Sequence, residues 1–320
     1  MSTRPDRNLG VELVRATEAA AIKASAWIGR GDKNAADGAA VEAMRDFLNT
    51  VDFSGTIVIG EGEKDEAPML ANGEVVGNGN GPECDIAVDP VDGTSVTASG
   101  RAHAISVIAV SDKGTMYNPK DVFYMDKLIT TKAGKGAVSL DATPEENVRE
   151  LAKALKKDVS EIVVAMIDRP RHQPLMEAVR KAGARTRLFL DGDVAAGIHA
   201  VTGGGNIDML LGIGGAPEGA ISACATQALD GYMQGRIAPQ SPQEMKKAIE
   251  AGHDLTRIFE INDLVKSDNT YFVATGVTDG LLLDGVQKRG QYLRTDSIIL
   301  RARSGTIRRV KADYLAARWL

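Results

Sequence analysis

The residues with the most chemical content stand in one run, Cys84-Asp85-Ile86-Ala87-Val88-Asp89-Pro90-Val91-Asp92-Gly93-Thr94-Ser95, where apolar residues give way to two carboxylates, a glycine and two hydroxyls. Ile86 and Val88 read as a buried strand. Pro90 has no amide hydrogen and a fixed φ, so strand pairing is expected to stop there and to leave Asp89 and Asp92 on one tight turn. Two ionised carboxylates held that close repel each other. A divalent cation that prefers hard oxygen ligands, Mg2+ or Mn2+, relieves the repulsion. Gly93 permits close approach of backbone to a ligand, and the amides and hydroxyls of Thr94 and Ser95 can hold phosphate oxygens if a helix begins there. The competing reading is an Asx-rich turn that caps a helix, for which Pro, Asp and Gly are ordinary residues.

Elements ahead of this run supply further acids. Residues 9–28 place Leu9, Leu13, Ala16, Ala20, Ala24, Trp27 and Ile28 on a helical stripe. A second helix opening near Asn34 or Asp37 carries Ala40, Val41, Met44, Phe47 and Leu48 inward, which puts Asp37 in its first turn as a dipole partner, a cap or a metal ligand. A β-branched strand over 55–59 ends in Gly60-Glu61. Two strands that each stop at carboxylates can present them at one sheet edge, and with Asp37 the oxygens suffice for a paired-metal site. Glu63, within a charged run, reads as solvated. The glycine-rich loop from Gly77 to Gly81 leads into a strand and no helix, so it is not a nucleotide P-loop.

Further on, residues 104–110 and 122–130 read as strands, the second with Tyr124, which either packs in the core or leans into a sugar site. Thr143-Pro144-Glu145-Glu146 is a capping box with proline at the first helical position, and its helix is expected to run to about Lys157. Strand and helix then alternate: strands at 161–167, 186–190 and 207–213, helices at 174–182, 194–201 and from Pro217. Such alternation predicts a mostly parallel sheet and a boundary near Lys157, with a metal and catalytic domain over 1–157 and a sugar- and phosphate-binding domain over 158–320. In parallel sheets ligands lie beyond the carboxyl ends of strands, and all three ends here are polar. Arg169 and Arg171, kept off a helix by Pro170, can fork onto a phosphate or be a surface loop. Asp191 and Asp193 suit sugar hydroxyls better than metal. Gly214-Gly215-Ala216 offers backbone amides ahead of a helix whose first turn holds Glu218, and no Gly-x-Gly-x-x-Gly continues from it.

At 320 residues, 43% of them hydrophobic, the chain can bury a large core. Its net charge of −5 argues against a nucleic-acid partner. Near the C-terminus Arg301, Arg303, Arg308, Arg309 and Lys311 alternate with Ile299, Ile307 and Val310 and read as the solvated face of strands. Two isolated cysteines, Cys84 and Cys224, suit a reducing compartment. There is no signal-peptide core at the start and no run of about eighteen apolar residues, so a cytoplasmic protein without a membrane partner is expected.

Asp89-Pro90-Val91-Asp92-Gly93-Thr94 resembles the signature of the metal-dependent, lithium-sensitive sugar and inositol phosphatases. Together with Gly31-Asp32-Lys33-Asn34-Ala35-Ala36-Asp37-Gly38, the stretch from Gly60 to Met69, Arg169-Pro170-Arg171-His172, Asp191-Gly192-Asp193 and Gly214-Gly215-Ala216-Pro217-Glu218, it makes the chain similar over nearly its whole length to the class II fructose-1,6-bisphosphatases. The resemblance implies a layered αβαβα fold, a requirement for Mg2+ or Mn2+, a homo-oligomer (dimer or tetramer), and removal of the 1-phosphate of fructose 1,6-bisphosphate in gluconeogenesis. Some relatives also cleave sedoheptulose 1,7-bisphosphate, so the alternative function the resemblance implies is a bifunctional fructose-1,6-/sedoheptulose-1,7-bisphosphatase. By the same resemblance Asp37, Glu61, Asp89, Asp92 and Glu218 fall on metal positions and Thr94 on the catalytic hydroxyl; the chemistry of water activation adds a second role for Asp37, as a relay to Thr94 instead of a ligand. Substrate contacts fall on Asp92, Gly93, Thr94, Tyr124, Arg169, Pro170, Arg171, Asp191, Gly192, Asp193 and Gly215. Some family members carry glutamate where this chain has Asp92.

Overall fold

A computed structural model describes residues 9–60, 70–119, 122–203 and 206–319. The helical stripe at the start forms α1 (Leu9–Ser25), followed by α2 (Lys33–Leu48). Asp32 caps α2, its side chain accepting from the Ala35 amide at 2.9 Å. Asp37 therefore lies one turn further in than expected, and the capping role belongs to Asp32. The strands β1 (Ser54–Ile59), β2 (Val75–Val76) and β3 (Glu83–Asp92) come next, then the short α3 (Thr94–Ala98) and β4 (Ile105–Asp112). After β5 (Tyr124–Thr130) and α4 (Pro144–Leu155), the alternating stretch gives β6 (Val163–Ile167), α5 (Gln173–Lys181), β7 (Arg185–Phe189), α6 (Val194–Thr202), β8 (Met209–Gly215) and α7 (Ala216–Ala228). The chain ends with β9 (Tyr232–Ile237), α8 (Pro242–Glu250), β10 (Phe259–Glu260), α9 (Ile261–Leu264), β11 (Tyr271–Gly276), β12 (Gln287–Arg289), β13 (Tyr292–Arg301) and β14 (Thr306–Leu315).

Two mixed sheets result. The first has the order β12-β13-β11-β4-β3-β1-β2, with β14 also on β13, and the second has the order β10-β9-β5-β8-β6-β7. Both draw on chain from either side of Lys157. In the second sheet only β6–β7 and β6–β8 are parallel pairings. β5 is inserted antiparallel between β8 and β9, and β10 lies antiparallel on β9. The sheet is mixed where a mostly parallel one was expected, because the inserted strand comes from ahead of the alternating stretch.

Pairing also continues past Pro90. Asp89 is opposite Val107 and Asp92 is opposite Ile105, so three steps on β3 span two on β4. Pro90 sits in this bulge, where the missing amide hydrogen leaves no ladder bond unmade. The two aspartates thus stand on a bulged strand end, not on a separate turn.

Three apolar cores follow from alternation along the strands. Ile86, Val88, Ile108, Val110 and Val273 face α1 and α2. The opposite face of the first sheet, with Ala87, Val107 and Phe272, shares a core with α6, α7 and the inner face of the second sheet. Leu128, Val164, Met166 and Leu211 form the third core with α4 and α5. Near the C-terminus the solvated-face expectation fails at Arg301, which is buried with its guanidinium 5.2 Å from the centroid of the Tyr271 ring, and on β14, where Ile307 is exposed and Arg308 half-buried.

Candidate functional site

The bulged end of β3 presents its two acids differently. Asp89 is half-buried, and its Oδ1 accepts from the Val91 amide at 3.1 Å, so an Asx turn is formed there. Asp92 is buried, and its Oδ2 has no hydrogen-bond partner among the described residues. Gly93 has φ +100°, and a Cβ on it would lie 2.9 Å from Val96 Cγ2 and 3.3 Å from Ala104 Cα. Glycine alone suits that conformation and that gap. Directly after it Thr94 begins α3 and is half-buried.

From the second sheet, β6, β7 and β8 deliver their carboxyl ends to one edge, as parallel neighbours must. The loop after β7 lies against Asp92: a Cβ on Gly192 would stand 3.1 Å from Asp92 Oδ1. At the end of β8, Gly215 precedes α7, and a Cβ there would meet Glu218 Oε2 at 1.7 Å, so glycine leaves room for that carboxylate where it stands. Glu218 Oε2 is shielded from solvent without a partner among the described residues. Glu218 and Asp89 line an open cavity of 350 Å³ together with Gly60, Asn72 and Phe123. Gly60 is the last described residue after β1, so Glu61 and Glu63 lie outside the described residues. Asp37 is buried in α2, the helix that packs on β3 and α3.

Arg169 and Arg171 are held at the same edge. Arg169 donates to the carbonyls of Asp168 and Leu190 at 3.1 and 2.6 Å and reaches Asp191 Oδ1 at 3.4 Å. Arg171 donates to the Ile213 carbonyl at 2.9 Å and lies 5.1 Å from the centroid of the Tyr124 ring. Tyr124 is in register with Gly215, so the aromatic ring, the arginine and the glycine share one locality.

Two residues outside the sequence expectations build this edge. Lys127, fully buried, pairs with Asp193 Oδ2 at 2.5 Å and donates to the Gly215 carbonyl at 3.0 Å. Its signal in the sequence is its parity with Met125 and Ile129, which both face the core. His172 is buried and bridges β6 to β8: the Ile213 amide donates to Nε2 at 2.8 Å, which leaves Nδ1 to donate to the Ile167 carbonyl at 2.6 Å. Burial pushes its pKa down.

The electrostatics favour a cation. Burial first, then the charges of Asp193, Glu218 and Asp191, hold the Asp92 carboxyl well above the usual carboxylate range. Burial also raises Glu218, against the opposing pull of Lys127. Three shielded, unpartnered carboxylate oxygens in such surroundings, on Asp92, Asp193 and Glu218, are the donor chemistry that a hard divalent cation takes. Among the described residues, however, no three His, Cys, Asp or Glu side chains are already drawn together as a cation cage.

Residues 7–314 match the family described as bacterial fructose-1,6-bisphosphatase, glpX-encoded. The chain is 44% identical over 321 aligned positions to fructose-1,6-bisphosphatase 1 class 2 of Escherichia coli (strain K12), covering 96% of this chain and 95% of that protein. Fructose-1,6-bisphosphatase class 2 of Shigella flexneri gives the same figures.

Proposed function

The chain belongs to the bacterial, glpX-encoded fructose-1,6-bisphosphatase family, and from that membership we propose that it hydrolyses the 1-phosphate of fructose 1,6-bisphosphate, giving fructose 6-phosphate and phosphate in gluconeogenesis. The observation that carries the reading within the fold is the pair of shielded oxygens, Asp92 Oδ2 and Glu218 Oε2, beside arginines and hydroxyl acceptors from a second sheet. Asp89, Asp92 and Glu218, with Asp37 and Glu61, would hold Mg2+ or Mn2+. When bound, the ions neutralise phosphoryl oxygens and acidify water.

This chain's own groups do the rest. Thr94 offers a hydroxyl at the start of α3 to hold and aim the attacking water, with Asp37 in the adjoining helix as the proton relay. Arg169 and Arg171 take the distal phosphate, the latter braced on Tyr124. Pro170 keeps the two apart, and Gly93 lets the phosphate approach the backbone. Asp191 and Asp193, spaced by Gly192, accept from sugar hydroxyls, and the Gly215 backbone closes the sugar end. On this reading residues 1–157 supply most metal and catalytic groups and 158–320 most substrate groups, with Glu218 crossing one way and Asp92, Gly93, Thr94 and Tyr124 the other. The three stacked cores support a five-layer αβαβα arrangement of the lithium-sensitive phosphatase kind. Two buried free thiols suit a cytoplasmic enzyme. A dimer or tetramer is the assembly the family reading carries.

Phosphate release from fructose 1,6-bisphosphate, with and without Mn2+, tests the proposal. The parent should be active only with the ion. Thr94→Ser should retain measurable turnover, whereas Thr94→Ala should lose about a hundred- to ten-thousand-fold. Full turnover by Thr94→Ala at unchanged Mn2+ affinity would remove the water-aiming role.

A further inference from the structure

One cation already stands inside the acidic cluster. The Lys127 ammonium is fully buried, 2.5 Å from Asp193 Oδ2 and 3.0 Å from the Gly215 carbonyl that it donates to. Space for it comes from a glycine: a Cβ on Gly214 would lie 2.9 Å from the ammonium and 1.9 Å from Asp193 Oδ2. A lysine between core residues loses its hydration and is tolerated only where a partner is fixed in place. Packing makes no demand for charge there, since methionine fills nearly the same volume.

The pair divides the cluster in two. On one side Asp193 Oδ2 is closed by the lysine. On the other, Asp92 Oδ2 and Glu218 Oε2 are shielded and have no partner among the described residues, and the second oxygen of Asp193, Oδ1, is shielded and unpartnered as well, open to a hydroxyl group. The loop carrying Asp193 touches Asp92, as the 3.1 Å approach at Gly192 requires, so the two sides are adjacent. We infer that Lys127 is a positioning residue that sets how many divalent ions this cluster takes. Its tethered ammonium occupies the place an ion would take beside Asp193, leaves Asp92 and Glu218 to hold the ions, and keeps Asp191 and Asp193 for hydroxyl groups. Only that last role rests on the phosphatase reading.

The test counts bound Mn2+ per chain by equilibrium dialysis without substrate. Lys127→Met should take up about one more ion than the parent, because an uncompensated carboxylate beside Asp92 recruits a cation. The double variant Lys127→Met/Asp193→Asn, neutral at both positions, should return to the parental number. In a thermal shift assay Mn2+ should raise the melting temperature of Lys127→Met more than that of the parent, the ion standing in for the lost ammonium. A folded Lys127→Met with the parental number and affinity overturns the inference, and so does a Lys127→Met that stays unfolded in Mn2+. If the parent releases no phosphate from fructose 1,6-bisphosphate, the phosphatase reading fails while the ion count still stands or falls by dialysis.

Discussion

Asp92 sets its proposed metal-binding role against stability in a single side chain. Its carboxyl titrates above the ordinary range in the folded protein, chiefly through burial and then through Asp193, Glu218 and Asp191. The protonated form is therefore favoured by folding. That contribution is fully present below the unfolded value and is lost as pH rises through the folded one. Asp92→Asn should thus raise the melting temperature of the metal-free protein at about pH 8 and change it little near pH 4. The same variant should lose about a hundredfold or more in turnover with Mn2+. A lower melting temperature at the higher pH would contradict the account. The acids stand out in the sequence by stopping an apolar run, although a structural role accounts for part of this, since Asp89 Oδ1 accepts from the Val91 amide. Lys127 does not stand out: its parity with Met125 and Ile129 puts it on the core face, but the partner that makes a buried lysine tolerable, Asp193, lies far along the chain.

At the scale of elements, the strand ends work only if they are held in step, and His172 does this for β6 and β8. Both ring nitrogens are used, and a Cβ on Gly212 would come within 2.9 Å of Nε2, so the imidazole is packed as well as bonded. His172→Ala should cost about 1–3 kcal/mol in urea unfolding through unpaired backbone groups. Because burial lowers the pKa, the neutral ring is favoured by folding, and parental stability should fall as pH drops below the unfolded value of about 6.5. The variant should lose less between about pH 8 and pH 5.5 than the parent does; parallel losses would remove His172 from the pH response. Hydrophobic periodicity marks nearly every element from α4 to α7 within a few residues. It does not reveal the β3 bulge, because apolar residues run on through Pro90 and Val91, or the insertion of β5, whose partners β8 and β9 lie far along the chain. Asp37 is displaced by a turn because two aspartates compete to open α2, and the backbone takes Asp32.

Across the whole molecule, the core between the sheets joins side chains from both. Cys224 lies there on α7, and Cys84 lies in the core under α1 and α2. Burial pushes their thiols up to about 12 and about 11. A thiol reagent at about pH 8 should react with neither in the native protein. Both should become reactive over one shared range of urea; two separated ranges would mean units that melt independently. The arrangement of the first sheet has a further consequence, in time. β4 waits for β11, with Val110 paired to Tyr271. At synthesis rates of about 5–20 residues per second, that edge stays bare on the ribosome for roughly ten to thirty seconds. An apolar strand edge left open that long invites pairing with another nascent chain. Shielding of β4 before β11 has been translated is therefore a demand that the strand order places on the nascent chain.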